Sequence, residues 1–497
     1  MKIKNLLLTF LVLTCILSPN QTTKAQTGTA VPGLEIFDAA MTNLLADYNI
    51  KGAQLALTYQ GRLVYNRGFG YANTSTNTLV QPNHRFRVAS VSKPITSIAV
   101  MHLIEQGQLN LSDTIFGVNG ILNDAMYQNA IDSRIYTITL RNLLEHTGGW
   151  NRFISGDPFF PEDTPNIIGV YDMAIAMGVT PPGTAQSIIQ YMLNNIMLNY
   201  TPGTIYSYSN IGYSIIGQVI EKVTGQGYEN YVRDTILIPI GITEIQTGRT
   251  LLANQLPMEV NYYNNYNTQI VSIYDGVTMT PYAYGTYNME SMNACGSWVA
   301  SSADLCKLLV SVDGFPSKPD ILLPSTITTM TTGSAAYPSY ALGWHLNTTD
   351  NNWYHTGYLP GTCRSEIGRL GDEINFAILV NTESNISGLS SAMEDIIDLH
   401  PLIINWPTND LFLGVQEQAS DFSVSLYPNP TSNFINVKTD VKLIGSSYTV
   451  YDNMGKAVLT GIINAENTVV EVQNLSGGIY LFRVGENNQQ TFKVIKE

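Results

Sequence analysis

Between Ser90 and Gln106 the chain carries Val91, Ile95, Ile98, Ala99, Val100, Met101, Leu103 and Ile104, which go all the way round a helix. A helix with no polar face is stable only when other elements enclose it. This stretch therefore has to lie at the centre of a large core, and the rest of the chain has to supply the walls. Pro94 is tolerated in the first turn of such a helix, and Gly107 is suited to end it. At its mouth stand Ser90 and Lys93. Side chains three apart on a helix share a face, one turn apart, so the spacing sets a hydroxyl beside an amine. An amine with a lowered pKa can act as a base toward that hydroxyl. The helix N-terminus adds outward N–H groups and a dipole that favours negative charge.

The neighbours of this helix predict its walls. Residues 32–50 have helical periodicity, Gly52–Tyr59 reads as a strand, and Leu63–Gly70 is its hairpin partner across Gln60-Gly61. Further helices are expected over Ile138–His146, Ser187–Leu198, Tyr213–Thr224, Ser301–Val312 and Ser391–His400. Tyr340–His345, Thr362–Arg369 and Phe376–Asn381 read as strands. Residues 150–185, rich in Pro, Gly, Asp and Phe, and residues 255–290, crowded with Tyr and Asn, read as surface segments that wall a cleft. Strands at both ends and helices between them spell an α+β domain, with an antiparallel sheet and a helical subdomain.

At 497 residues the chain is too long for one core. Its character changes after Pro401. Residues 401–420 read as a linker, and 421–497 as seven short alternating strands forming a small all-β sandwich without His or Cys. A net charge of −14 argues against nucleic acid and anionic lipid as partners. Met1-Lys2-Ile3-Lys4, the apolar run Leu6–Leu17 and Thr23-Lys24-Ala25 read as a signal peptide over residues 1–25. The run is too short to span a bilayer, so no transmembrane span is expected in the mature chain. Cys295, Cys306 and Cys363 read as buried apolar side chains, with one bridge through Cys363 open in an oxidising compartment. His84, His102, His345 and His400 are scattered, and no metal or organic cofactor is expected.

Four motifs occur in order: Phe86-Arg87-Val88-Ala89-Ser90-Val91-Ser92-Lys93, Leu143-Leu144-Glu145-His146-Thr147-Gly148, Tyr206-Ser207-Tyr208-Ser209-Asn210 and His355-Thr356-Gly357-Tyr358. Each is weak alone; Tyr-x-Asn recurs throughout the chain. As a series over residues 33–400 they closely resemble the serine β-lactamase and penicillin-recognising hydrolase superfamily, in its branch near class C enzymes, DD-peptidases and related esterases. The resemblance implies a β-lactamase/transpeptidase-like fold: a five-stranded antiparallel sheet flanked by helices, plus a helical subdomain, with the active site at their junction. It implies that Ser90 is acylated and that Lys93 assists its deprotonation. Tyr208 would share proton transfer as a phenolate or near-phenolate held by Lys93; which of the two is the base stays open. Asn210 would bind substrate, along the His355-Thr356-Gly357 strand. The Ser90 and Tyr358 N–H groups would form an oxyanion hole. His146-Thr147-Gly148 reads as a helix stop.

The superfamily pattern often has Lys where His355 stands. A histidine is mostly neutral near pH 7, so the fixed charge for a substrate carboxylate is missing, unless Arg364 supplies it. Peptidase or esterase activity is therefore expected over dedicated β-lactamase activity. The expected function is an exported serine hydrolase that forms a Ser90 acyl-enzyme with ester or amide substrates: a D-amino-acid peptide, a small ester or a β-lactam. The alternative is a non-hydrolytic penicillin-fold binding or sensing protein.

At the other end, Ser425-Leu426-Tyr427-Pro428-Asn429-Pro430, Val450-Tyr451-Asp452-Asn453-Met454-Gly455-Lys456 and Leu475-Ser476-Gly477-Gly478-Ile479-Tyr480 resemble the type IX secretion sorting domain of Bacteroidota. That resemblance implies the secretion machinery as partner, and a secreted or cell-surface location after transit of the periplasm. A carbohydrate- or protein-binding sandwich is the alternative.

Overall fold

The hairpin Gly52–Tyr59 and Arg62–Asn73 forms as its alternation predicts, turning through Gln60 and Gly61 at φ of 50° and 71°. Gly52–Tyr59 then pairs with Ile374–Val380, more than three hundred residues away in sequence, in an unbroken antiparallel register from Ala53↔Val380 to Tyr59↔Ile374. Cys363–Leu370 and Asn352–Leu359 follow in turn. These five long strands are the expected antiparallel sheet built from both ends of the domain. The short strands Gln26–Thr27, Thr78–Leu79 and His345–Asn347 extend it to eight. This computed structural model describes residues 26–160, 169–266, 268–413, 424–439, 441–452, 456–484 and 490–497. The expected signal peptide, part of the expected linker and the Met454-Gly455 turn lie outside the described residues.

Alternation gives the sheet two apolar faces. Leu55, Leu57, Phe376, Ile378 and Val380 pack on the outer helices Glu35–Asp47 and Leu389–Ile397 through Phe37, Met41, Met393 and Ile396. Ala56, Ala377, Leu379 and Ile367 face the other way and join the core of the Ser92–Glu105 helix. That helix is enclosed as its composition demands: from His84 to Met101 every residue is buried except Ser90. Burying each of its Ile, Leu, Val and Met side chains contributes about 1.5–3 kcal/mol.

Leu140–Leu144 begins with a reciprocal cap between Thr139 and Asn142, and Asn210–Thr224 ends at Gly225 with φ of 69°. Three expectations change. The 150–185 segment is not wholly superficial, because Asp157, Phe159, Val170, Met173 and Ala174 are buried. The start of the expected 401–420 linker is packed on the domain. Trp406 stacks on Tyr59 at 5.0 Å, and the Leu63 N–H donates to Asp410 Oδ1 at 3.1 Å. Cys295, Cys306 and Cys363 are all free and buried, so the bridge through Cys363 is absent.

The chain divides into two compact units, one ending at Phe412 and one running from Leu413. The second has the seven expected strands. Val424–Tyr427, Phe434–Thr439 and Asn467–Glu471 make one sheet. Ala457–Ile462, Ser447–Tyr451, Gly478–Val484 and Gln490–Lys496 make the other, around Ile435, Val437, Val450 and Phe482.

Candidate active site

Ser90 is presented by a strained turn. The strand Phe86–Arg87 leads into Ala89, which has φ of 49°, and Ala89–Val91 forms one 3-10 turn before the helix starts at Ser92. A non-glycine residue there costs on the order of 1–3 kcal/mol and persists only where its surroundings enforce it. The enforcing bonds are Val88 N–H to Trp298 O at 2.9 Å and Val91 N–H to Val88 O at 3.1 Å. Ser90 thus lies in a turn abutting the helix, not in its first turn as the spacing suggested. Lys93 still reaches back to it.

The Lys93 amine is fully enclosed. Its Nζ lies 3.0 Å from Ser90 Oγ, 2.8 Å from Asn210 Oδ1 and 2.8 Å from the Cys295 carbonyl oxygen. Cys295 is brought there because its segment is pinned to the helix: Trp298 N–H donates to Ser92 Oγ and the Thr96 hydroxyl to Ala294 O. Asn210 in turn donates its amide Nδ2–H to Asp157 Oδ2 at 2.6 Å. Burial pulls the Lys93 amine down to about 8, with Asp157 acting in its favour and Arg152 against it.

Tyr208 stands beside this group, in hydrogen-bonding reach of Ser90, with the Lys93 Nζ 4.7 Å from its ring centre. Burial raises its phenol, and the three hydrogen bonds of Lys93 go elsewhere. The resting site therefore holds a neutral Tyr208 rather than the phenolate expected from the resemblance.

His355 belongs to a buried chain of hydrogen bonds whose proton positions follow from its one fixed donor. Ser209 N–H donates to His146 Nδ1 at 3.1 Å, so the His146 proton is on Nε2 and is given to Tyr340 Oη at 3.1 Å. Tyr340 O–H is then the donor to His355 Nε2 at 3.3 Å, which leaves the His355 proton on Nδ1, aimed at the Thr356 carbonyl at 2.7 Å. Both imidazoles are neutral, and burial holds both well below the usual range; His345 beside them falls to about 4. His146 does end its helix, at φ of 58°. Its ring also ties the Tyr208 loop to the His355 strand, which its reading as a helix stop did not include.

Strand alternation separates the remaining positions. Gly357 faces the Ser90 turn so closely that a Cβ would collide with the Val88 carbonyl and the Ser365 hydroxyl. Thr356 and Tyr358 point to the opposite face. Thr356 lies across from Glu366, whose carboxyl is pushed up to about 8 by burial, with Glu394 and Asp398 at the outer helix adding to it. The Tyr358 phenol donates to Glu383 at 3.1 Å. Only the backbone of these two residues is on offer to the Ser90 side. Arg364 is directly opposite Tyr358 and pairs with Glu383 at 3.7 Å. It therefore does not replace the missing lysine charge. Asp157, Tyr340 and the Cys295 carbonyl had no signal in the sequence, because no local pattern marks which buried groups from distant segments will meet. Among the described residues no group of three or more His, Cys, Asp or Glu is placed to hold a metal ion, and no helix is long and apolar enough to cross a membrane.

Comparison with known proteins identifies two regions of the chain. Residues 37–396 match the Beta-lactamase family and residues 425–497 the Secretion system C-terminal sorting domain. A curated relative, Protein flp of Staphylococcus aureus, is 24% identical over 360 residues, 72% of this chain and 65% of that protein, so the chain spans just under two thirds of its length. Penicillin-binding protein 4* of Bacillus subtilis is 28% identical over 204 residues, 41% of this chain and 39% of that protein. Among solved structures, the octameric penicillin-binding protein homologue from Pyrococcus abyssi shares the fold at a TM-score of 0.54 and 19% identity, covering 93% of this chain and 96% of its own. D-amino acid amidase from Ochrobactrum anthropi SV3 does so at 0.54 and 21%, covering 74% and 99%. With its antiparallel sheet, enclosed Ser90-Val91-Ser92-Lys93 segment and family match over most of its length, the chain belongs to the beta-lactamase family, extended by a type IX secretion sorting domain.

Proposed function

We propose that this chain is a serine hydrolase in which Ser90 is acylated and Lys93 is the base. The observation that carries the reading is the Lys93 cradle. A neutral amine has two N–H donors and one lone pair. Asn210 Oδ1 and the Cys295 carbonyl are acceptors only and take the two donors, so the lone pair is directed at Ser90 Oγ, 3.0 Å away. Ser90 gives its proton to Nζ as Oγ bonds to the substrate carbonyl carbon. The proton then passes to the leaving group as that bond breaks, with the neutral Tyr208 as relay, and the acyl-enzyme remains. Water, activated in the same way, releases the acid and restores Ser90. The Ser90 and Tyr358 backbone N–H groups are the proposed oxyanion donors. In support, the Gly357 contact holds their strand against the Ser90 turn, and His345–Asn347 stops pairing at Tyr354, so the strand edge beyond is free of a ladder partner.

The substrate class follows from charge. His355 is neutral, and Arg364 is paired on the far face of the sheet. A neutral amide or ester, such as a D-amino-acid amide or peptide, suits this site better than a substrate held by its carboxylate. An amide of that kind is what the Ochrobactrum neighbour is named for. The same reading takes residues 1–25 as a signal peptide, 26–400 as the hydrolase domain and 421–497 as the sorting domain, and carries the protein to the cell surface or beyond. N-terminal sequencing of secreted protein, with Gln26 expected first, tests the export half.

A fluorophosphonate label and a panel of p-nitrophenyl esters, D-alanyl peptides and nitrocefin test the chemistry. Labelling and ester or amide turnover that vanish in Ser90→Ala are expected. Labelling without turnover favours a binding or sensing protein, and neither in the folded chain overturns the reading.

A further inference from the structure

Asp157 lies in a segment whose composition suggested a cleft wall, yet its side chain is 2% exposed. Its Oδ2 accepts the Asn210 amide and its Oδ1 accepts the Phe159 N–H at 3.1 Å. Burial raises its carboxyl, while the Arg152 guanidinium, the Phe159 N–H and the Asn210 amide act the other way; with both oxygens accepting, it has the hydrogen-bond pattern of an ionised carboxylate. This contact decides which way Asn210 points. An amide has an oxygen end and a nitrogen end, and reversal would turn two donors toward the Lys93 amine and an acceptor toward the carboxylate. Asp157 permits only the orientation in which Oδ1 faces Nζ.

We propose that Asp157 is a positioning residue for proton transfer: it locks the Asn210 carbonyl onto Lys93 and, through that amide, stabilises the ammonium formed when Lys93 takes the Ser90 proton. The proposal rests on the serine-hydrolase reading. The proton moves from Oγ to Nζ and later to the leaving group, while Asp157 stays ionised throughout and exchanges none. The groups facing Lys93 are Asp157, Arg152, the Cys295 thiol, the Tyr208 and Tyr213 phenols, and His146, His345 and His355. Burial keeps the imidazoles neutral, and keeps the thiol and both phenols protonated. Asp157 and Arg152 remain as fixed charges of opposite sign acting on Lys93. Of these, Asp157 favours the ammonium.

The test is the pH profile of kcat/KM for p-nitrophenyl acetate, with the rate of fluorophosphonate labelling, on the full chain. Asp157→Asn should lower kcat/KM at pH 8 roughly ten- to a hundredfold and move the acid-limb midpoint down by about one pH unit, because Lys93 loses its nearby anion. Asp157→Glu keeps the charge and should hold the midpoint. If Asp157→Asn does not fold by circular dichroism, Asp157→Ser, which can still accept from the Asn210 amide, should show the same shift. A residue that only supports the fold would reduce the active fraction without moving the midpoint. An unmoved midpoint in the neutral variant, or an equal shift in Asp157→Glu, overturns the proposal. A folded wild-type chain that takes neither probe at Ser90 overturns the hydrolase reading instead, and this inference falls with it.

Discussion

Two buried cations flank Ser90, six residues apart, and they have opposite fates. Arg87 is wholly enclosed, with its Nε 3.2 Å from Glu259 Oε1, Nη1 donating to Ala283 O at 2.6 Å and Nη2 to Arg249 O at 2.9 Å. Burial works against its charge, but Glu259 and the neighbouring phenols outweigh burial and hold it above its ordinary value. It is permanently charged, and it staples the 255–290 segment to the strand that leads into Ser90. Lys93 is equally enclosed but its direct partners are neutral: a hydroxyl, an amide oxygen and a backbone carbonyl. Burial therefore wins, and the amine is pulled down to about 8. Depth of burial is common to both, and the charge of the immediate partner separates a staple from a base.

Breaking each cation in turn sharpens the contrast. Lys93→Met should lower kcat/KM about a hundred- to ten-thousandfold. It should also raise stability at pH 7 by roughly 2–3 kcal/mol, since an amine whose charge is desolvated on folding is removed. Steady-state kinetics and chemical denaturation read the two effects. Arg87→Met should do the reverse, costing about 3–5 kcal/mol by leaving Glu259 buried without its partner. The double variant Arg87→Met, Glu259→Leu should recover most of that loss; no recovery would show that the pair is more than a staple.

The pH dependence separates the two as well. The base works when unprotonated, so kcat/KM should fall as pH drops through about 8 and level off above it. Arg87 adds no inflection, because it stays charged throughout. A smaller effect is expected at Tyr340→Phe. It removes the hydroxyl between His146 and His355 and should cost about 1–3 kcal/mol in a thermal melt. The smallest is a null: a reducing agent should leave Tm unchanged, because Cys295, Cys306 and Cys363 are free.

Much of this architecture was legible in the chain. The Gly52–Tyr59 strand is found with the predicted limits, and the seven C-terminal strands occur where alternation placed them, since a period of two is a local signal. Ser90, Lys93, Tyr208 and Asn210 could be picked out by motif order, and the structure brings all four together. Thr356 and Tyr358 show the limit of a motif. Adjacent strand residues face opposite ways, so a run of letters does not say which side chains meet the nucleophile.

By itself the sequence determined that a fully apolar helix had to be buried, that two units of different period follow one another, and that a hydroxyl and an amine share the mouth of that helix. These are short-range properties, decided by composition and spacing. Only the tertiary structure decided that Lys93 is met by an amide and a carbonyl instead of a carboxylate, that Asp157 turns the amide to face it, and that His146, Tyr340 and His355 share one chain of protons. Those contacts join residues 15 to 202 positions apart. A proton's position depends on the partner at 3 Å, and the partner is chosen by the fold.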